Sequence, residues 1–140
     1  MTTRTNYPFR IFVSYAHADK PLVEALVGIL ASLGFIPLWD KDINPGKPFT
    51  QEIKELITRS HLFLPVITSH SSARPWVHQE TGFAIALNIP VLPICIGQTP
   101  SEMIADVQAV IVRDDLSDFA DQLSKISLME LVVPRPNKPF

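Results

Sequence analysis

The chain has 140 residues, 46% of them hydrophobic and 19% charged, which is enough apolar material for one domain with a core of its own. A net charge of −2 leaves no electrostatic footprint for nucleic acid, and no apolar run reaches the length of a membrane span. The single cysteine, Cys95, lies in an apolar run and has no partner for an internal disulfide, so a reducing, cytoplasmic setting is expected.

Residues 1–9 read as a lead-in without an apolar signal core. Arg10 to Tyr15 is a short β-branched and aromatic run, hence a strand. The polar loop Ala16 to Pro21 enters a helix marked by Asp19 and Pro21, with Leu22, Leu26, Ile29, Leu30 and Leu33 as its stripe and Gly34 as its stop. Phe35 to Asp40 is the next strand, and its Pro37 argues for a sheet edge. Lys41 to Pro48 is a loop whose Asn44-Pro45-Gly46 is turn chemistry. Phe49, Ile53, Leu56 and Ile57 mark a second helix, and His61 to Thr68 a third strand.

Pro75 to Leu87 is the third helix: Pro75 suits its first turn and Pro90 lies past its end. Trp76, Glu80, Phe83, Ala84 and Leu87 share one face, which should meet the core. Glu80 is the misfit. A carboxylate taken out of water costs several kcal/mol or more unless it is paired, hydrogen-bonded or neutralised, and acids so placed gather at functional sites. The bland alternative is a slight rotation of the helix that leaves Glu80 at the stripe's edge.

Pro90 to Ile96 reads as a fourth strand, Met103 to Val107 as a short helix, Ala109 to Val112 as a fifth strand, and Phe119, Leu123 and Ile126 as a last helix. The domain is expected to span 10–133, followed by a proline-rich tail or linker at 134–140. Strictly alternating strands and helices predict an α/β, flavodoxin-like three-layer sandwich: a five-stranded parallel sheet of order 2-1-3-4-5 with helices on both faces. Pro65 and Pro93 fit poorly in central strands and are expected at strand ends or bulges. Ligands in such folds bind where strand order reverses, here between strands one and three. The loops there bring Tyr15, Trp39, Trp76 and Glu80 to one end of the molecule.

Ile11 to Tyr15, then Trp39-Asp40 with the Asn44-Pro45-Gly46 loop, then Trp76-Val77-His78-Gln79-Glu80 together resemble a TIR domain, from about Arg10 to about Ile126. The last stretch is similar to the W-x-x-x-E pattern of the NAD-consuming bacterial-type branch. The resemblance implies cleavage of the nicotinamide–ribose bond of NAD+, consumed as substrate with no separate cofactor, and Glu80 as the catalytic carboxylate. One carboxylate suffices in principle, because nicotinamide leaves as a neutral base from a cationic pyridinium, without the acid that ordinary glycosidases need. Trp76 would shape the pocket wall, Tyr15 or Trp39 would pack on the pyridinium ring, and Ser14 and His17 would be polar contacts. Asn44, Pro45, Gly46 and Lys47 would act as gate and assembly surface. The product stays open between ADP-ribose, a cyclic isomer and base exchange.

The resemblance also implies homotypic self-association, a setting in immune-type signalling such as antiphage defence, and a sensor domain or partner protein beside the tail. Each pocket residue has a plainer reading: Trp39 as core, Tyr15 as packing, His17 as a solvated loop residue. His61, His70 and His78 show no metal spacing with one another or with Cys95, so no metal is expected. A receiver domain would need acids where Ala16-His17-Ala18 and Thr68-Ser69 stand, and the five glycines form no nucleotide-binding fingerprint. A nucleoside deoxyribosyltransferase-like enzyme matches Trp39-Asp40 and Pro45-Gly46 less well. The rival from another class is a non-catalytic TIR interaction module.

Overall fold

The structure, a computed structural model, describes residues 9–39, 51–70, 75–97 and 109–126, apart from the side chains of 75–78. In chain order the elements are β1 (Arg10–Ser14), a 3₁₀ turn (His17–Asp19), α1 (Lys20–Ser32), β2 (Ile36–Leu38), α2 (Gln51–Arg59), β3 (Leu62–Ile67), α3 (Pro75–Ala86), β4 (Ile94–Ile96), β5 (Val110–Val112) and α4 (Phe119–Ser124). The five strands form one parallel sheet of order β2-β1-β3-β4-β5, as the element pattern predicts. The helix expected around Met103 and the Asn44–Lys47 loop lie outside the described residues.

The two-residue period of the strands decides which side chain meets which layer. Ile11, Val13 and Tyr15 of the β1 segment join Leu62, Leu64 and Val66 of β3 in a cluster with Val23, Leu26 and Leu30 of α1 and Phe119 and Leu123 of α4. Phe12 and Phe63 point the other way, against Ile53 and Ile57 of α2 and Ala84 of α3. So α1 and α4 cover one face and α2 and α3 the other. Ser14, two residues after Phe12, faces the α3 layer; Tyr15 faces α1.

Pro37 sits on β2, an edge strand, as expected. Pro65 corrects an expectation: it is inside β3, paired with Ser14. The ladder tolerates it because Phe63, two residues earlier, directs its N–H to Pro90 on the β4 side, so the donor lost at Pro65 also belongs to that side. The β1–β3 ladder stays intact. The pairs Phe63 with Val91 and Val66 with Ile94 keep one register, which sets Pro65 opposite Pro93. The two prolines coincide at a single gap in the ladder, just before β4 begins.

α1 ends at Gly34, whose φ of 97° suits a residue without Cβ. α3 ends differently from expectation: Asn88, at φ 61°, adopts the left-handed turn and the Ile89 N–H bonds back to the Ala84 carbonyl, so the helix stops before Pro90 acts. At the amino-terminal end of the sheet, His61 is fully buried and its Nδ1 accepts the Arg10 N–H at 3.0 Å. That histidine is structural. Cys95 is likewise fully buried, and burial pushes its thiol pKa up, which keeps it protonated and inert. Among the described residues no helix is long and apolar enough to cross a membrane.

Candidate active site

α3 inverts the usual sorting of side chains. It buries Glu80 and Thr81, each 2% exposed, beside Ala84, and leaves Ile85 open at 47%, with Leu87, just past its end, at 37%. Burial of a carboxylate is the informative observation. It also corrects the expected stripe: Leu87 does not meet the core, because the buried face runs through Glu80, Thr81 and Ala84. Glu80 lies within that face, so the alternative of a rotated, edge-lying carboxylate does not hold.

Glu80 is met by the last residue of β1. The Ser14 hydroxyl, itself buried, donates to Glu80 Oε1. This follows from the fold: Ser14 shares the α3-facing side of β1 with Phe12, and α3 packs across β1 and β3. A donor to a buried carboxylate both offsets its lost hydration and fixes its rotamer. Ser14→Ala leaves that oxygen without this donor, and we expect a stability loss of about 1–3 kcal/mol. Chemical denaturation of the variant beside wild type measures it, and an unchanged midpoint would contradict this role.

The structure does not gather all the other expected site residues on Glu80's side. Tyr15 is 1% exposed and packs beside the partly buried Trp39, ring centroids 5.8 Å apart, on the α1 side of the sheet. Adjacent residues of one strand point to opposite faces, which separates Tyr15 from Ser14. The connections after β1 and β3 diverge to those two faces, and Trp39 packs on the α1-side core while Glu80 lies on the α3 side. His17 is exposed in the 3₁₀ turn. The Trp76 side chain and Asn44, Pro45, Gly46 and Lys47 lie outside the described residues.

One constellation escaped sequence reasoning. Asp19 stands at the position of a helix N-cap but makes no capping bond; it is 5% exposed and turned toward the end of β3. Its Oδ2 accepts the Thr68 hydroxyl at 2.6 Å, and its Oδ1 lies 2.7 Å from His70 Nδ1. The Thr68 hydroxyl oxygen also accepts the His70 backbone N–H at 3.0 Å. Thr68 directly after β3 was the one local signal; Asp19, five residues past the end of β1, carried none. Among the described residues no group of three or more potential ligands is placed to hold a metal ion.

A parallel sheet of this order, with a buried carboxylate beside its switch point, defines the class: a flavodoxin-like α/β domain with a candidate site at the carboxyl ends of β1 and β3. The family is more specific. Residues 11–127 match the model of the TIR domain family, and the chain belongs to that family. Among solved structures it is similar to the CMP N-glycosidase BcmB of Clostridium botulinum, with a TM-score of 0.56 and 16% identity over 82% of this chain and 98% of that one. At that identity the likeness concerns the fold. No curated protein matches the chain.

Proposed function

We propose that this TIR domain is a NAD+ nucleosidase that cleaves the nicotinamide–ribose bond, giving nicotinamide and ADP-ribose or a cyclic isomer, and that self-assembly activates it in immune-type signalling. The observation that carries this reading is Glu80, a carboxylate at 2% exposure held by the Ser14 hydroxyl beside the switch-point crevice. A stability argument alone disfavours such a group, so its presence calls for chemistry. BcmB, of similar fold, is described as an N-glycosidase, which supports reading this architecture as a host for N-glycosidic cleavage.

In the proposed reaction the C–N bond breaks and its electron pair leaves with nicotinamide, which becomes neutral. Positive charge develops on the ribose, and the Glu80 carboxylate stabilises it electrostatically while accepting hydrogen bonds from ribose hydroxyls. Water then adds to the anomeric carbon and loses a proton, which gives ADP-ribose; attack by an internal nucleophile gives the cyclic isomer. Ser14 keeps the carboxylate aimed, and the exposed part of Trp39 offers a ring wall. Roles for Trp76 and for the Asn44–Lys47 loop as gate belong to the same proposal.

The exposure of Ile85 on the last turn of α3 and of Leu87 just after it supports the assembly half of the proposal, and by itself also fits an interaction module without catalysis. Turnover of NAD+ against protein concentration separates these. Assembly control predicts a rate per molecule that rises with concentration, and a strictly constant rate contradicts it. No turnover even when the domain is artificially clustered favours the non-catalytic module.

A further inference from the structure

We propose that Asp19 and His70 form a clasp across the mouth of the crevice and act as positioning residues for substrate capture by the Glu80 site. The inference rests on the nucleosidase reading and adds to it a pair that the family resemblance did not mark. The connection after β1 departs toward the α1 face and the one after β3 toward the α3 face, and their divergence creates the crevice. Asp19 belongs to the first connection; Thr68 and His70 belong to the second. Two hydrogen bonds, of 2.6 and 2.7 Å, tie the two together where they part, and the His70 backbone N–H, bonded to the Thr68 hydroxyl oxygen at 3.0 Å, braces the second connection.

Asp19 accepts from the Thr68 hydroxyl with one oxygen and faces His70 Nδ1 at 2.7 Å with the other; in the Nδ1–H tautomer the imidazole donates to that oxygen. A buried carboxylate at 5% exposure holding a histidine whose side chain is 54% exposed makes the His70 end the outer half of the clasp. Substitution there loosens the crevice and leaves the core unchanged.

Steady-state NAD+ kinetics of wild type, His70→Ala, His70→Asn, Asp19→Ala and the Asp19→Ala/His70→Ala double variant test this. Because small misplacements at an active site cost one to two orders of magnitude, His70→Ala should lose about tenfold in kcat/KM, chiefly through KM, with a melting temperature near that of wild type. His70→Asn, whose side-chain amide donates from nearly the position of Nδ1, should restore KM. Adding His70→Ala to Asp19→Ala should cost nothing more than Asp19→Ala alone. Wild-type KM in His70→Ala overturns the clasp, and so does a His70→Asn variant as poor as His70→Ala, since the imidazole itself would then touch substrate. A wild type that releases no nicotinamide overturns the nucleosidase reading and the claim about capture with it, a result distinct from both.

Discussion

Glu80→Gln should abolish nicotinamide release while leaving the fold intact. Glutamine keeps the size of the side chain and can still accept the Ser14 hydroxyl through its carbonyl oxygen, so what is removed is the charge and one acceptor oxygen. Electrostatic stabilisation of a developing charge by a placed group is worth on the order of 10²–10³ in rate, and a full carboxylate facing a cationic sugar belongs at the upper end. Stability should move the other way. Glu80 is 2% exposed, and an ionised group in that position has lost most of its hydration, so the amide should melt at the same or a higher temperature. Loss of rate together with a gain in stability marks a residue kept for chemistry. Glu80→Ala should lose the same activity and also some stability, because it opens a cavity and strands the buried Ser14 hydroxyl. A Glu80→Gln variant that turns over NAD+ normally would move the catalytic group elsewhere.

Phe63→Ala should produce the largest stability loss. Phe63 is fully buried at the middle of the sheet, its ring stacked on Phe12 with centroids 5.7 Å apart and planes 11° from parallel. Its cluster includes Ile53 and Ile57 of α2 and Ala84 of α3, four residues after Glu80. Truncation of such a side chain costs about 3–5 kcal/mol, a large part of the roughly 5–15 kcal/mol that holds a domain together. A drop in melting temperature on the order of 10 °C follows. Because α3 rests on this cluster, activity should fall at temperatures where the variant is still folded. Ile111→Ala, at a position 57% exposed, is the control and should stay within about 0.5 kcal/mol of wild type. A loss under about 1 kcal/mol at Phe63 would contradict the packing described.

What the sequence made legible was whatever local pattern controls. Alternating strands and helices imply the sheet order, and Pro37 correctly marks an edge. Glu80 stands out because an acid on an apolar stripe is a local conflict, and the fold resolves it with Ser14, sixty-six residues away in the chain. The less legible features depend on partners distant in sequence. Asp19 reads as a helix cap because caps are recognised by neighbours, and nothing nearby reveals that Thr68 and His70 draw its side chain away. Pro65 looks wrong for a central strand until register places it opposite Pro93. Tyr15 and Ser14 look like one site in the sequence, and strand alternation sends them to opposite faces.

The most direct test of the account is release of nicotinamide from NAD+ by concentrated wild-type protein, with Glu80→Gln beside it. One nicotinamide should be released per NAD+ lost in the wild type and none above background in the variant. Equal release by both proteins, or none by a clustered wild type, would contradict it.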